Sequence, residues 1–439
     1  MLVIKIIKMP PCGTTRSWGL ASKARRPLLP RNMQHLTNEM LMRRLLKEIY
    51  DTDWSNVESM SVHQKKPQPG DITGNLSESG RVEVRLTMSS GEKVVHNWFV
   101  KIMPKQHKNS ELMHKFNIFE NEIAFYRDTA PDLLAFLKVN GIEDIVFDIP
   151  KLLFSESTDE GAVIILDDVC EQGYSQERDS QGCRYLSLEQ AILALDSLAR
   201  LQAASKLHAA HEGERRASVG TSQMWEDEEF LDRLAIMKEA YCEVLSKSSE
   251  QDSDKLLQRF QKTFDSGEKL REVCAERYAP KHTSAVYLQH GDFHYNNLLF
   301  KEEEGKLKVM LVDWQLTYTG RSTGDVSYLL LSSISPEVRH VHEQQLKESY
   351  FNSFNSYLKT FEASVIGNQS DAESDWESDS ESDSESIEVE DLEHDYQDSA
   401  PLSLFLSCGN VLSGSEQQEQ ATLTFAYNLV RDAAVMHII

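Results

Sequence analysis

Residues 290–325 read HGDFHYNNLLFKEEEGKLKVMLVDWQLTYTGRSTGD, and the spacing of their carboxylates governs how the rest of the chain is read. Asp292 is followed five positions later by Asn297, and Asp313 closes the apolar run Val309-Met310-Leu311-Val312. An Asp beside an acceptor hydroxyl can position it and take its proton. An amide oxygen and a second carboxylate are the hard oxygen donors that suit magnesium on nucleotide phosphates. The spacing therefore nominates Asp292 as the catalytic carboxylate and Asn297 and Asp313 as magnesium ligands, with His290 beside them as an orienting group. Ala285 to Leu288 and Lys308 to Val312 are predicted as short strands, which would fix these side chains on one rigid edge.

The catalytic loop of protein kinases, H-R-D-L-x-x-x-N, separates its Asp and Asn by the same interval, with Arg where this chain has Gly291. A chance match in a polar turn is the ordinary alternative for so short a motif. Taken with VDWQ at 312–315 and GDVSYLL at 324–330, however, the stretch resembles the choline-kinase and aminoglycoside-phosphotransferase superfamily, and within it the ecdysteroid kinase-like family. That resemblance implies a two-lobed, protein kinase-like α+β fold with a small β-rich N-terminal lobe and a larger, mostly helical C-terminal lobe. It further implies ATP and Mg2+ as cofactors and a small hydroxylated acceptor, an ecdysteroid or a similar alcohol. Asp325 receives by resemblance a structural role, bracing the catalytic loop. It follows Asp313 by only twelve positions, which leaves little room for a peptide-docking platform and favours a small acceptor.

Residues 35–170 are read as the nucleotide lobe. Met42, Leu45, Leu46 and Ile49 recur at helical spacing, with Thr37 or Asn38 as the cap. Alternation from Val82 to Met88, a Ser89-Ser90-Gly91 turn and a strand from Val94 to Met103 predict a β-hairpin. Lys101 falls inside that second strand, where a lone ammonium is costly to bury without a partner. It is assigned to the nucleotide phosphates. Glu120 and Glu122 follow on a predicted helix, and the resemblance, through the block E-I-x-F-Y, favours Glu122 as the carboxylate that holds Lys101. Gly70, Gly74 and Gly80 precede Val82 without forming G-x-G-x-x-G, so the phosphate-covering loop is not assigned. The apolar run 163–166 leads into Asp167-Asp168, read as turn residues and, by resemblance, as the hinge between lobes.

Residues 171–439 are read as the catalytic and acceptor lobe. Ser187 and Gln190 form a capping box ahead of the apolar face Ile192, Leu195, Leu198 and Leu201. Gln202 stands where relatives often carry His, an exchange read as a matter of packing. Trp225, Met237 and Tyr241 are either wall residues of the acceptor site or core, with core favoured.

Composition narrows the alternatives. The net charge is −24, yet residues 371–398 hold fourteen acids and no Lys or Arg, so the remainder carries only −10. No basic face suggests nucleic acid, and no apolar run suggests a membrane span. The block at 364–400 is read as a disordered acidic insertion, suited to a protein partner or to modification by an acidophilic kinase. Residues 1–34 form a basic leader with seven Lys or Arg and no acid, either disordered or a mitochondrial targeting segment. Six scattered cysteines read as reduced thiols of a cytoplasmic protein. Two further readings stay open: a catalytically silent nucleotide-binding scaffold, and a choline or ethanolamine kinase, the latter weakened by the lack of an evident aromatic cage.

Overall fold

The computed structural model describes residues 36, 38–65, 78–104, 114–158, 161–176, 185–212, 227–247, 252–265, 268–269, 271–273, 286–321, 323–370, 389–411 and 428–434. The chain divides into two compact units, Met1–Lys115 with Lys151–Glu171, and Phe116–Pro150 with Gln172–Ile439. The basic leader, Gly70, Gly74 and Trp225 lie outside the described residues.

The first unit is a five-stranded antiparallel sheet covered on one face by a helix. Its strands are β1 (Val57–Gln64), β2 (Glu78–Met88), β3 (Lys93–Pro104), β4 (Leu152–Thr158) and β5 (Gly161–Asp167), in the order β1-β2-β3-β5-β4. Helix α1 (Glu39–Tyr50) starts where the Asn38 side chain accepts the Leu41 amide, and it stops at Asp51, which adopts the left-handed conformation. Its apolar face, Leu41, Met42, Leu45 and Leu46, packs on Val82, Val84, Leu86, Trp98, Val100 and Ile102. Because strand side chains alternate, a face claimed by Val100 and Ile102 leaves Lys101 on the opposite one. Lys101 pairs in register with Ser79 on β2 and Ile164 on β5 and is buried. Gly80 lies within β2 rather than in a loop.

At the end of the sheet Arg81 on β2 donates from Nε to Asp168 at 2.7 Å, and its terminal nitrogen reaches Glu171. Lys65, just after β1, joins Glu171 at 2.7 Å and Asn97 at 3.0 Å. Asp168 is therefore more than a turn residue, because it anchors the strand edge to the segment that leaves β5. Burial nevertheless outweighs Arg81 and holds the Asp168 carboxyl above its ordinary pKa.

The second unit takes in residues 116–150, which the sequence reading counted with the first lobe. The reason is local: on α2 (Ile118–Ala124) the Asn121 amide donates to the Gln315 and Thr317 carbonyls at 3.1 and 2.8 Å. A five-residue π-helical turn, Phe125–Thr129, and α3 (Ala130–Val139) follow. Helix α4 (Leu188–Glu212) opens with the expected capping box. The Ser187 hydroxyl accepts the Gln190 amide at 3.1 Å, and the Gln190 side chain accepts the Ser187 amide at 2.9 Å. α5 (Glu228–Ser246) buries Met237 and Tyr241, the latter edge-on to Phe260 of α6 (Ser253–Thr263), so both are core.

Two short strand pairs carry the chemistry-bearing stretch. β6 (Val286–Gln289) pairs with β9 (Tyr318–Arg321), and β7 (Leu298–Glu303) forms a hairpin with β8 (Lys306–Leu311). Glu304 and Gly305, both at positive φ, make its two-residue turn, the conformation that matches strand twist. Helices α7 (Gly324–Ser333), α8 (Pro336–Ser370) and α9 (Val389–Val411) complete the unit. The acidic block is thus helical at both ends, to residue 370 and from residue 389, while 371–388 lie outside the described residues. The helical ends follow from burial. Val365, Tyr396 and Ala400 are core residues, and Lys347 on α8 binds both Glu393 oxygens at 2.8 and 2.9 Å. No helix among the described residues is long and apolar enough to cross a membrane.

The Arg81–Asp168 contact supplies a test. Asp168→Leu removes one of the two carboxylates that hold the buried Arg81 guanidinium and is expected to cost about 2–3 kcal/mol in urea unfolding. Arg81→Met with Asp168→Leu should recover most of that loss, since the pair's Coulombic gain is offset by desolvation.

Candidate active site

The β7–β8 hairpin explains how residues distant in sequence come together. Its register sets Leu298 opposite Leu311, so Asn297 and Asp313 flank the same open end. The Val312 amide continues the ladder by donating to the Asn297 carbonyl at 3.0 Å. Asn297 Nδ2 donates to the Asp292 carbonyl at 2.8 Å and to its carboxylate at 3.2 Å. With the amide nitrogen spent on oxygens, its orientation is fixed. The Asn297 side-chain oxygen takes no hydrogen bond among the described residues.

His290 links the two carboxylates. Nε2 donates to the Val312 carbonyl at 3.0 Å, so Nδ1 must be the acceptor of the Asp292 amide, which approaches to 3.3 Å. Both ring nitrogens are engaged in one neutral tautomer. Burial lowers the imidazole's pKa against the pull of Asp325, Asp292 and Asp313. The ring also lies 4.4 Å from Trp314, which in turn stacks on Phe125 at 3.9 Å. The ring is thus held in place at both nitrogens.

The loop is held from behind by Asp325 on α7, which is fully buried. Its carboxylate accepts the amides of His290 at 2.6 Å and Gly291 at 2.9 Å. Gln202 on α4 donates to the same carboxylate at 3.5 Å and accepts the Tyr350 hydroxyl from α8. The expectation that Gln202 matters only to packing is therefore corrected: a buried amide at this point is a hydrogen-bonded link. Gly291 accounts for the missing Arg. At φ +80° it adopts a left-handed conformation, and a Cβ there would lie 2.0 Å from the Leu316 carbonyl oxygen.

Asp313 also adopts a left-handed conformation, with φ 71°, and Gln315 donates to its carboxylate at 3.3 Å. Non-glycine residues rarely adopt it, and such strain concentrates at functional positions. Asp292, His290, Asn297 and Asp313 are thus gathered in the second unit, together with Glu122 on α2, which is buried. Lys101 belongs to the first. His294 escaped the sequence reading although it lies within the quoted stretch; its Nε2 stands 3.4 Å from an Asp292 oxygen. Among the described residues no group of three or more His, Cys, Asp or Glu forms a metal cage. The donor set of one amide oxygen and one carboxylate fits magnesium that shares its remaining ligands with phosphates and water.

A family model described as the ecdysteroid kinase-like family matches residues 74–363. The chain belongs to that family. The match begins before β2 and ends near the end of α8, so it takes in the residues named for this site. No curated protein matches the chain. Among solved structures, one titled as that of the microcompartment-associated aminopropanol kinase is similar at 13% identity, covering 91% of this chain and 98% of that one with a TM-score of 0.40. The α+β composition expected from the sequence is observed as an antiparallel sheet unit and a larger, mostly helical unit, and membership of the family supports a small-molecule kinase.

Two outcomes test this reading of the loop. Gly291→Ala should lower unfolding free energy by at least about 2 kcal/mol in urea titrations, from positive-φ strain and the Leu316 clash together. His290 titrates with the opposite sign to an ion-paired His. Its folded pKa lies below the ordinary value of about 6.5, so stability is complete above that value and falls as pH drops below it. Unfolding at pH 8, 6 and 5 should show a steeper acid loss for wild type than for His290→Asn, by up to about 1.4 kcal/mol per pH unit.

Proposed function

We propose that this ecdysteroid kinase-like protein is a magnesium-dependent kinase that transfers the γ-phosphoryl group of ATP to the hydroxyl of a small acceptor, an ecdysteroid or a similar alcohol. The observation that carries the reading is the single hydrogen-bonded unit of Asp292, Asn297 and His290, joined through Val312 to Asp313. The residues proposed as catalytic carboxylate and as oxygen ligands for a cation thereby lie at one end of one hairpin. The acceptor class rests on family membership and on the short connection from Asp313 to Asp325.

In this reading Asp292 orients the acceptor hydroxyl and takes its proton as the acceptor oxygen bonds to the γ-phosphorus and the bond to the ADP oxygen breaks. The Asn297 side-chain oxygen and the Asp313 carboxylate would hold magnesium, and Lys101 would serve the phosphates. Magnesium, when bound, neutralises charge on the transferring and leaving oxygens. His290 carries no proton in the cycle; it keeps the Asp292 backbone in step with the strand end that presents Asp313. Most of the acceleration then comes from positioning and charge stabilisation, which is typical of this chemistry.

The test is labelled phosphate transfer from ATP to a panel of ecdysteroids, other sterols, choline and small alcohols, with wild type and Asp292→Asn. Transfer to one hydroxylated class is expected, with turnover reduced by about two orders of magnitude or more in the variant and ATP affinity nearly unchanged. Intact nucleotide binding without transfer to any acceptor would instead favour a silent scaffold.

A further inference from the structure

The most conspicuous unused polar group of the second unit is the hydroxyl of Tyr126. The residue is buried, and its oxygen has no hydrogen-bond partner among the described residues. A buried hydroxyl without a partner is costly and needs a reason. Its position offers one. Tyr126 follows Glu122 by one helical turn, so the two side chains share a face of the helix. It lies in the π-helical turn Phe125–Thr129, a local expansion of the helix that is frequent at functional sites.

That segment is docked on the strained turn that presents Asp313. Asn121 donates to the carbonyls of Gln315 and Thr317, and Phe125, adjacent to Tyr126, stacks face to face on Trp314, the residue after Asp313. The carboxylates of Glu122 and Asp313 are both close enough to act on the phenol. Together with burial, the first cause, they push its pKa well above the ordinary value, so the oxygen keeps its proton and remains a donor. A neutral donor near two carboxylates, with no hydrogen-bond partner among the described residues, matches a place where a ligand supplies the acceptor.

We propose that Tyr126 belongs to the nucleotide–magnesium site, its hydroxyl donating to an acceptor oxygen that the magnesium–nucleotide complex brings beside Asp313. The inference rests on the nucleotide reading given under Proposed function and adds to it a residue that acts in binding. A hydroxyl kept for a ligand implies a trade between the free and the bound protein. Without ligand it destabilises, and with ligand it contributes a hydrogen bond to a charged group.

The experiment compares full-length wild type with Tyr126→Phe. Melting temperature is measured without ligand, and affinity by calorimetry for ATP with EDTA and for Mg-ATP, and by electron paramagnetic resonance for Mn2+ alone. The expected result is a ligand-free melting temperature equal to or above that of wild type, with Mg-ATP binding weakened roughly ten- to hundredfold, the scale of one hydrogen bond to a charged group. A loss that persists for ATP with EDTA identifies a phosphate oxygen as the acceptor; one seen with Mn2+ alone identifies the cation's water. Unchanged affinities in a folded variant would overturn the assignment of Tyr126 alone. So would a drop in the ligand-free melting temperature that accounts for the weaker binding, since that marks a structural role. Failure of wild type to bind nucleotide or cation would overturn the nucleotide reading itself.

Discussion

The Asp325 carboxylate accepts two consecutive backbone amides, those of His290 and Gly291, in a place closed to water. Two donors converge on one carboxylate, and burial raises the cost of losing either. The loop that carries Asp292 has no regular secondary structure between β6 and the short 3-10 turn Tyr295–Asn297, so its backbone groups need partners from elsewhere. Asp325 supplies them, and it is itself fixed on several sides. Gln202 of α4 reaches it and is held in turn by Tyr350 of α8, Gln289 accepts the Asp325 amide, and serine and threonine hydroxyls pair α7 with α9 at Thr323–Ser399 and Ser327–Ser403. The helical unit thus functions as a mount for a few loop residues.

Much of this was legible in the residues. Alternation at 82–88 and 94–103 exposed the hairpin of the first sheet, the cap before Glu39 and the box at Ser187 marked helix starts, and the interval from Asp292 to Asn297 to Asp313 marked the candidate site. What stayed hidden has one physical character, contact between residues far apart in sequence. Nothing local announces that Arg81 meets Asp168, that Gln202 meets Asp325, or that Asn121 ties residues 116–150 to the turn after Asp313. The acidic block misled for a related reason: its charge density suggested disorder throughout, whereas Tyr396 and the Lys347 partner Glu393 draw its later part into helix. His294 was visible but ambiguous, since a His two residues after an Asp gains meaning only when the turn folds it back.

The region also shows where local preference yields to placement. Asp313 sits at positive φ, Gly291 is confined by the Leu316 carbonyl, Phe125–Thr129 departs from α-helical geometry, and Tyr126 keeps a hydroxyl unmatched among the described residues. Each departure carries a cost that the surrounding core must offset, and such departures gather where geometry is under functional demand. They cluster here on one turn and the helix docked against it, while α1 and the first sheet follow ordinary rules of capping and alternation.

The two-residue turn at Glu304-Gly305 carries a consequence for how this protein can change. Strand side chains repeat every two residues, so one residue inserted in β7 or β8 would put the ladder out of phase and turn Asn297 and Asp313 away from a common end. Matched additions to both strands at the turn would leave that end untouched, because the turn is the farthest point of the hairpin from it. The hairpin behaves as a caliper with its jaws at the candidate site and its hinge at the surface. Its span is open to evolutionary tinkering at the tip alone, and length variation between related chains is expected to accumulate there in balanced steps.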